Sequence, residues 1–440
     1  MTTTPAERAS TALLTDHYEL TMLEAALRSG AASRRCVFEV FARHLPDGRR
    51  YGVVCGTGRL LEELTRFVFG DAEIAALERT RVLDHATLRW LAGYRFTGNV
   101  WAYGEGECFF PGSPLLVVEG TFAEAVVLET LVLSILNHDC AIAAAASRMH
   151  VAAQSRPCLE MGSRRTHEEA AVAAARAAYV VGFAGTSNLE AGRRYGIRTI
   201  GTAAHAFTLV HDDERSAFEA QVAALGPTTT LLVDTYDVQE GVRTAIEVAG
   251  TGLGAVRLDS GDLLEQAYAV RAQLDRLGAF GTRITVTSDL DEYAIAALAA
   301  APVDAYGVGT ALVTGSGAPA AGLVYKLVAR QDASGALVGV AKRSADKVSI
   351  AGRKWALRRR GPDGVAQAEV VRIGHDPADD GDDRRLQVQL VEHGEIVGGE
   401  SLAAARARHS AALAELPATG RQLSRGEPAI PTIMQPEPAR

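Results

Sequence analysis

The chain has 440 residues, a formal net charge of −8 at pH 7 and a hydrophobic content of 48%. This length allows two or three domains with a large core, and the acidic balance argues against a basic nucleic-acid-binding surface. The five cysteines are scattered and form no CxxC pair, which argues against a zinc site or a disulfide framework and fits a reducing compartment. The polar start lacks a signal-peptide apolar region, and no apolar run reaches about 18 residues. We therefore expect a cytoplasmic protein that neither spans a membrane nor binds nucleic acid.

The first 156 residues predict an α+β domain that ends in a helical connector. Residues 1–10 are expected to be disordered. Residues 11–30 have leucines at helical spacing and predict a helix that begins at Thr15 or Asp16 and stops at Gly30.

Short strands are predicted next. Residues 34–45 alternate apolar and polar side chains, as in a half-buried antiparallel strand. Residues 51–70 predict a strand, a glycine turn and a helix, and their Gly-Thr-Gly is more typical of a helix start than of a phosphate loop. Residues 94–120 predict hairpins, and residues 121–154 predict two buried helices with a break at 137–139.

From Cys158 the pattern changes to short β-branched runs that alternate with helical segments. Such runs are typical of buried parallel strands. Their number and spacing favour a (β/α) barrel, and an open doubly wound sheet is the alternative. The predicted strands are 157–161, 179–183, 198–201, 230–234, 255–258, 283–287 and 303–307, with a weaker eighth at 322–328.

After residue 330 the alternation fades. Residues 342–360 are basic and strand-rich, residues 376–383 form an acidic loop, and residues 401–415 predict an Ala-rich helix before an extended tail of about 25 residues. The first 120 residues and the segment 331–440 share a β-rich pattern. We therefore expect that they build one discontinuous α+β domain beside an irregular barrel at 157–330.

Polar side chains follow most of the predicted parallel strands. The carboxyl ends of parallel strands meet at one edge, where ligands bind in α/β folds. Asp262 and Asp291 stand at helix starts and are more typical of N-caps. Arg257 lies among apolar neighbours, so it must face a carboxylate or an anionic ligand. The other polar positions at this edge are Arg164, Arg165, Thr186, Ser187, His205, Asp234, Asp237, Asp259, Ser260, Ser288, Asp289, Gly307, Gly309 and Thr310.

These residue types together indicate a ligand class. Arginines and backbone N–H groups suit phosphate, and carboxylates suit ribose hydroxyls and a Mg²⁺ ion carried by a diphosphate. The residues alone therefore predict a barrel enzyme that acts on a sugar phosphate or diphosphate.

Several motifs, in one order over nearly the whole chain, resemble those of the nicotinate phosphoribosyltransferases. They are TDHYELTM (15–22), EMGSRR (160–165), GFAGTSNLEAG (182–192), GTAAH (201–205), DTYD (234–237), VRLDSGD (256–262), TSDLDE (287–292), GVGT (307–310) and KRSADKVSIAGRK (342–354).

The resemblance implies a reaction and its cofactors. Nicotinate attacks C1 of phosphoribosyl diphosphate and gives nicotinate mononucleotide and diphosphate, with Mg²⁺ present. ATP hydrolysis is coupled to this step through a transient phosphohistidine, and His205 matches the family's histidine. Ala206 departs from the family pattern, because relatives often carry a serine there, which puts the orientation of the His205 ring in doubt.

The other roles are carried over one residue at a time. Tyr18 matches a tyrosine that reaches nicotinate from the neighbouring subunit of a homodimer, Thr202 a hydroxyl near nicotinate, and Arg257 an arginine at the nicotinate and ribose site. Arg164 and Arg165 are expected to hold diphosphate or carboxylate, and we place Arg165 on the nicotinate side. Asp234, Asp259, Ser260 and Asp289 are expected at the ribose, the diphosphate or the Mg²⁺-bound water. Gly307, Gly309 and Thr310 match the turn that binds the 5′-phosphate.

The pocket is expected to select the acid over the amide, and Ser187 is expected to contribute to that choice. In the related nicotinamide enzymes an aspartate follows the corresponding Gly-Thr, whereas the neutral Ser187 can donate to a carboxylate. A role as the N-cap of the following helix is equally compatible with its position.

Two other functions compete with this one. A related transferase could use nicotinamide or quinolinate, although the quinolinate enzymes are shorter and lack the histidine motif. A non-catalytic metabolite-binding homologue is the third alternative, and the presence of His205, Arg257 and Asp259 together speaks against it.

Overall fold

A computed structural model describes residues 9–342, 349–374, 376–377 and 383–436. The chain divides into two compact units, of which the first comprises residues 1–141 and 320–440 and the second residues 142–319. The boundaries predicted from the sequence lie further along the chain, after residues 156 and 330. Of the start expected to be disordered, residues 1–10, the first eight lie outside the described residues, whereas the Ser10 hydroxyl donates to the Val68 carbonyl.

Helices and strands alternate through most of the described chain. The α-helices are α1 (His17–Ser29), α2 (Thr57–Leu64), α3 (Asp71–Thr80), α4 (His85–Ala92), α5 (Phe122–Val126), α6 (Glu129–Ala153), α7 (Glu168–Val180), α8 (Leu189–Tyr195), α9 (His205–Leu209), α10 (Glu214–Leu225), α11 (Val238–Ala249), α12 (Leu263–Arg276), α13 (Glu292–Ala297), α14 (Thr310–Val313) and α15 (Leu402–Glu415). The strands are β1 (Arg35–Ala42), β2 (Gly52–Val53), β3 (Asn99–Tyr103), β4 (Cys108–Phe109), β5 (Leu116–Thr121), β6 (Cys158–Glu160), β7 (Gly185–Thr186), β8 (Thr230–Leu232), β9 (Ala255–Leu258), β10 (Arg283–Val286), β11 (Ala305–Val308), β12 (Leu323–Gln331), β13 (Leu337–Gly339), β14 (Lys354–Arg360), β15 (Ala366–Ile373), β16 (Asp383–Arg385), β17 (Gln387–Glu392), β18 (Glu395–Ile396) and β19 (Thr432–Gln435).

The second unit is built on a six-stranded parallel sheet in the order β7-β6-β11-β10-β9-β8. All chain neighbours except β7 and β8 are sheet neighbours, and the first strand, β6, pairs with the last, β11. This order is that of a barrel, because a doubly wound sheet begins in its middle and grows outwards in both directions. Only one seam, between β7 and β8, has no ladder among the described residues. The predicted irregular barrel is confirmed as a half-barrel, and the open doubly wound alternative is wrong.

Three predicted barrel strands are wrong. Residues 179 and 180 end α7, because the Ala-rich run before them is a strong helix former, and residues 181–183 after the helix form no strand. Residues 198–201 contribute only a parallel bridge from Thr199 to Thr186. Residues 322–328 belong to β12, which pairs antiparallel with β1 in the first unit. The alternating exposure of β12 is the pattern of such a strand.

The described residues of the first unit form three sheets. The largest has the order β13-β12-β1-β5-β3-β17-β18, a second has the order β16-β14-β15-β19, and β2 pairs with β4. The predicted β-rich α+β domain, assembled from both ends of the chain, is confirmed. Its large apolar core runs from Leu20 and Leu23 in α1 to Leu386 and Val391.

β1 is buried on both faces, so its predicted solvent-facing side is wrong. The polar position Glu39 is 2% exposed, and both of its carboxylate oxygens accept from Lys354 Nζ at 3.0 Å. The lysine ends the late basic motif, whose residues 343–348 lie outside the described residues. Its described part therefore contributes a buried ion pair that joins two sheets of the first unit.

The predicted break at residues 137–139 is also wrong, because α6 runs through them. The Asn137 side chain bonds both the N–H and the C=O of Leu323, and Asp139 accepts from Arg59 at 2.7 Å. These tertiary partners satisfy polar side chains that would otherwise favour a turn. The helical segment Phe122–Ala153 is long and apolar enough to cross a membrane by length and composition, but 67% of its most apolar window is buried inside the protein, as in a core helix.

The tail differs from its prediction as well. The predicted helix at 401–415 is confirmed as α15. After it, the chain forms β19, which pairs parallel with β15 instead of remaining extended and unpaired. Residues 378–382 of the acidic loop and residues 437–440 lie outside the described residues.

The buried pair of Glu39 and Lys354 generates a stability prediction. Lys354→Met leaves a buried carboxylate without its cation and should cost about 3–5 kcal/mol of unfolding free energy, whereas Glu39→Leu with Lys354→Met should cost much less. Burial already raises the pKa of Glu39. The single variant should therefore recover stability as the pH falls from about 7 to about 5, because the folded state takes up a proton.

Urea unfolding at both pH values measures this. The matched control is Arg193→Met, which breaks an ion pair with Glu190 whose arginine side chain is 70% exposed, and we expect a loss below about 1 kcal/mol. Equal losses for Lys354→Met and Arg193→Met would show that the buried pair carries no special energetic weight.

Candidate active site

The carboxyl ends of the parallel strands surround a cavity of about 250 Å³. This cavity is lined by eight of the site residues that were predicted from the sequence. Thr287, Ser288 and Met161 complete the lining. The eight predicted residues are Arg164, Arg165, Arg257, Asp259, Asp289, Gly307, Gly309 and Thr310. A second cavity of about 460 Å³ lies inside the half-barrel and is lined by Thr202 and Arg257 among others.

Arg257 has the carboxylate partner that its sequence position requires. Its Nη2 donates to Asp259 Oδ1 at 3.0 Å, and its Nε donates to Thr287 Oγ1 at 2.9 Å. Nη1 donates to Thr202 Oγ1 at 3.0 Å and to the Ala203 carbonyl at 3.2 Å. The guanidinium is therefore held in a fixed orientation where it borders both cavities.

Thr287 completes this ion pair, because its hydroxyl also donates to Asp259 Oδ1. Burial alone would raise the pKa of Asp259, but the hydrogen bond from Thr287 and the charge of Arg257 outweigh it and hold that pKa below its usual value. Asp259 is thus an anion at neutral pH.

His205 begins α9 and stands beside two carboxylates. Its Nε2 lies 3.8 Å from Asp234 Oδ1 and 3.9 Å from Asp259 Oδ2, and its side chain is 37% exposed. Its Nδ1 is 3.1 Å from Thr235 Oγ1. Ala206 is exposed, and the hydroxyl of Thr235 is positioned to orient the ring instead. The doubt about the ring that the missing serine raised is answered by this contact.

Asp234 connects His205 to the end of β9. Its Oδ2 accepts from the Asp259 N–H at 2.8 Å and from Ser260 Oγ at 2.7 Å. Its Oδ1 is buried and has no hydrogen-bond partner in the structure. Burial, together with the negative charges of Asp234 and Asp237, raises the pKa of the neighbouring Glu214 to about 7. The carboxyl ends of the strands, which we call the rim, therefore place negative charge beside His205 and positive charge at Arg164 and Arg165.

Ser187 is not the cap of the following helix. Asn188 is the N-cap of α8, and its Oδ1 accepts from the Ala191 N–H at 2.9 Å. Ser187 is half-buried, and its N–H donates to the Glu160 carbonyl at 2.8 Å. The expected caps Asp262 and Asp291 are confirmed, since each accepts from two N–H groups of the next helix.

Two backbone features shape the cavity. A Cβ on Gly307 would lie 2.5 Å from Thr287 Cγ2 and 2.8 Å from Met161 Sδ, so this position requires glycine for packing alone. Ser288 has φ +123°, a conformation that L residues rarely adopt. Such outliers cluster at functional sites, and Ser288 lies at the cavity.

Tyr18 lies in α1 of the first unit, 44% exposed. Burial first, and then the charge of Glu129 and a hydrogen bond to it, raise the pKa of its hydroxyl. The hydroxyl is therefore anchored to a carboxylate of its own unit. The contribution of Tyr18 to nicotinate binding remains a prediction.

Sequence reasoning missed three residues of the site. Thr287 joins Arg257 to Asp259, Thr235 bonds His205, and the buried Glu160 bonds the loop that carries Arg164 and Arg165. Glu160 had a signal, because a charged residue ending an otherwise apolar strand must be paired. The two threonines had none, since a strand-end threonine is common.

The structure also bears on a metal. Among the described residues, no group of three or more His, Cys, Asp or Glu side chains is arranged to hold a metal ion. The buried Asp234 Oδ1 accepts no hydrogen bond and is available to a cation or a water. The five cysteines are buried free thiols and take no part.

The chain is similar over its length to known proteins. Residues 13–137 match the nicotinate phosphoribosyltransferase N-terminal domain, and residues 157–349 match the nicotinate phosphoribosyltransferase family. The chain is 59% identical over 429 residues to the nicotinate phosphoribosyltransferase pncB1 of Mycobacterium tuberculosis, covering 96% of this chain and 94% of the relative. It is 38% identical over 360 residues to the nicotinate phosphoribosyltransferase of Bacillus subtilis, covering 79% of this chain and 73% of that one. The crystal structure of human nicotinic acid phosphoribosyltransferase superposes with a TM-score of 0.79 at 26% identity, covering 96% of this chain and 97% of that one.

Proposed function

Because the chain belongs to the nicotinate phosphoribosyltransferase family, we propose that it transfers the phosphoribosyl group of phosphoribosyl diphosphate to nicotinate in NAD salvage. The observation that carries this proposal is the cavity at the strand ends, which Arg164 and Arg165 line together with the Arg257–Asp259 ion pair. Phosphate, ribose and carboxylate each find matching groups there. We further propose that the enzyme is cytoplasmic, as its free thiols suit a reducing compartment.

The substrates are assigned to the cavity by charge. Arg164 and Arg165 lie exposed at its edge, where two guanidinium groups can hold diphosphate or the nicotinate carboxylate. Gly309 and Thr310 present backbone N–H groups for the 5′-phosphate, and Asp289 lies on the same lining. Asp259 accepts ribose hydroxyls through the oxygen that Arg257 and Thr287 leave free.

The base is placed at the junction of the two cavities. Thr202 and Arg257 border the interior of the half-barrel, and Arg257 also borders the phosphate cavity. A carboxylate on the pyridine ring would meet Arg257 and Arg165, while the ring nitrogen points towards C1 of the ribose.

Phosphoribosyl transfer requires stabilisation of the charge on the departing diphosphate and little proton transfer. Departure of diphosphate leaves an oxocarbenium-like ribose, so arginines must stabilise the leaving group as its charge develops. The ring nitrogen of nicotinate is already nucleophilic, which removes the need for a strong general base. Positioning by the rigid rim therefore supplies most of the acceleration.

Magnesium fits this rim as an ion carried by the substrate. When bound, Mg²⁺ supplies Lewis-acid stabilisation of the diphosphate. Asp234, through its unpartnered Oδ1, and Asp259 would hold the water around it. No set of three protein ligands stands ready among the described residues, which agrees with the reluctance of Mg²⁺ to lose its waters.

ATP is the proposed co-substrate, and His205 is the proposed catalytic residue that accepts its phosphoryl group. The side chain is accessible, its Nδ1 is bonded to Thr235, and its Nε2 faces Asp234 and Asp259. These carboxylates can offset the positive charge that develops on the imidazole as it attacks the phosphoryl group.

One experiment separates this function from its competitors. Purified enzyme is incubated with phosphoribosyl diphosphate, Mg²⁺, ATP and either nicotinate, nicotinamide or quinolinate, and mononucleotide, diphosphate and ADP are quantified by mass spectrometry. We expect nicotinate mononucleotide with ATP-stimulated turnover. Preference for another base would replace the substrate, and no product with any base would leave a metabolite-binding homologue.

His205 generates the first activity prediction. His205→Ala removes the phosphoryl acceptor, so ATP hydrolysis should disappear while some ATP-independent nucleotide synthesis survives. ADP release and mononucleotide formation are measured in parallel. The control is Thr235→Val, which keeps the imidazole of His205 but removes its contact with the Thr235 hydroxyl. ATP hydrolysis by His205→Ala at the wild-type rate would show that the phosphoryl acceptor lies elsewhere.

We also propose a homodimer in which each active site takes Tyr18 from the neighbouring subunit. Tyr18 is exposed on α1 of the first unit, next to the exposed Leu13 and Leu14. Apolar side chains exposed together in this way are common where subunits meet.

Hybrid dimers test the shared site. In a hybrid of a Tyr18→Ala chain and a His205→Ala chain, one site receives both intact residues, so ATP-dependent activity should return to about half of the wild-type value. The matched control is a hybrid of wild type with the double variant, which has no intact site if sites are shared. The reverse pattern, with activity only in the control hybrid, would place Tyr18 and His205 of one chain in the same site.

Ser187 generates the specificity prediction. Ser187→Asp would face the nicotinate carboxylate with like charge in a partly desolvated pocket, at a cost of about 3 kcal/mol. This lowers kcat/KM for nicotinate by about 100-fold, while use of nicotinamide falls much less or rises. Steady-state kinetics with both bases measure the change, and the neutral Ser187→Asn is the size-matched control. Equal losses for both bases, with a lower melting temperature, would move the specificity to Arg165 and Arg257.

A further inference from the structure

Glu160 is a fully buried carboxylate at the end of β6 that no step of the proposed reaction uses. It is 0% exposed, and burial raises its pKa in spite of the hydrogen bonds it accepts. An unpaired carboxylate in such surroundings would be very costly. Its hydrogen bonds therefore explain why it is tolerated, and they reach two loops of the active site.

The hydrogen bonds around Glu160 form a closed ring. Oε1 accepts from the Gly162 N–H, and Oε2 accepts from the Thr186 hydroxyl. Thr186 Oγ1 accepts in turn from the Asn188 N–H at 2.9 Å, and Asn188 Nδ2 donates to Ser163 Oγ at 3.0 Å. The peptide bond between Gly162 and Ser163 closes the ring, which therefore joins the Glu160 carboxylate to both loops.

The two loops carry different parts of the site. Residues 161–165, the arginine loop, contain Arg164 and Arg165. Residues 185–188, the base loop, contain Ser187, whose own N–H donates to the Glu160 carbonyl. Glu160 therefore bonds the base loop through both its main chain and its side chain.

The arginine loop is also packed against residues 307–310, the phosphate turn. The Met161 N–H donates to the Val308 carbonyl at 2.8 Å. A Cβ on Gly162 would lie 2.2 Å from Val313 Cγ1 and 3.1 Å from the Gly309 carbonyl oxygen. With no free space at Gly162, a shift of this loop would be transmitted to the turn at Gly309.

An ionised carboxylate suits this ring better than an amide does. Both groups that face Glu160, an N–H and an O–H, are donors, and a carboxylate is acceptor-only. A glutamine would keep one acceptor but turn an N–H₂ towards Thr186, whose hydroxyl would then lose its acceptor. The fold of the loops would remain, but their relative placement would not be fixed.

We propose that Glu160 is a positioning residue for phosphoribosyl transfer, and that its carboxylate holds the arginine loop and the base loop at the separation that the two substrates require. This inference rests on the proposed function. Glu160 touches neither substrate and acts through Gly162 and Thr186.

Glu160→Gln tests the inference in the full-length enzyme. We expect KM for nicotinate and KM for phosphoribosyl diphosphate to rise together and kcat/KM to fall by about 10- to 100-fold, since small misplacements of bound groups have effects of this size. Binding of inorganic diphosphate, measured by calorimetry, should weaken in parallel. Both measurements are made well below the melting temperature of the variant.

The matched control is Glu292→Gln. Glu292 is also a buried carboxylate of the second unit, 1% exposed, and accepts from Arg148 and Ser316 outside the active site. This variant should lose melting temperature and keep both KM values. A Glu160→Gln enzyme that behaves like Glu292→Gln, less stable with unchanged KM values, would reduce Glu160 to a structural role and overturn the inference.

Two milder variants open the ring elsewhere and decide the matter if Glu160→Gln does not fold. Ser163→Ala removes the bond to Asn188, and Thr186→Val removes the bonds to Glu160 and Asn188 with little change of shape. Each should raise both KM values, and Ser163→Ala should add less than about twofold once Glu160→Gln is present, because both act on one network. Unchanged kinetics in both mild variants, or a change in the KM of only one substrate, would overturn the inference.

The proposed function can fail separately. If the wild-type enzyme makes no nicotinate mononucleotide, the function is wrong, whatever the variants do. If the wild type is active and Glu160→Gln has wild-type constants, only the role of Glu160 is wrong.

Discussion

The Arg257–Asp259 ion pair determines the geometry of the active site. A charged pair at the end of buried strands is tolerated only when its remaining donors and acceptors are satisfied, and here Thr287 and Thr202 satisfy them. Asp259 is fixed further by its N–H bond to Asp234, which in turn faces His205. The pair thus couples three strand ends, so the positions proposed for the base, the ribose and the phosphoryl acceptor share one rigid frame.

The sequence predicted those parts of the protein in which local pattern and tertiary environment agree. The β-branched runs at 230–234, 255–258 and 283–287 are strands in the barrel order, because buried parallel strands need no other partner information. Asp262 and Asp291 are caps because a cap is a local interaction. The rim residues come together since parallel strands end at one edge.

One error arises where a neighbouring helix former overrides a short strand-like run, and the others arise where distant contacts override local preference. Residues 179–183 look like a strand, but the preceding alanine run carries the helix to Val180. Residues 137–139 look like a break, but Arg59 and Leu323 satisfy their polar side chains within a helix. Glu39 looks solvent-facing, but Lys354 lies 315 positions away in the chain. No local window of sequence contains the partners of Asn137, Asp139 and Glu39, and the roles of Thr287 and Thr235 were hidden for the same reason.

Asp259 also connects His205 to the cavity at the strand ends, so a phosphoryl group on His205 would act on that cavity through Asp259. His205 does not line that cavity, whereas Asp259 lines it and lies 3.9 Å from Nε2. A phosphoryl group adds nearly two negative charges beside Asp234 and Asp259, and like charges about 4 Å apart repel by a few kcal/mol at an effective dielectric constant of about 20, before screening by solvent. Two arrangements relieve this repulsion, a cation between the phosphoryl group and Asp234, or a shift of Asp259 towards Arg257. The second arrangement changes how much of the Arg257 charge is offset at the cavity that both residues line, so the ion pair that fixes the site would also carry the effect of ATP into it.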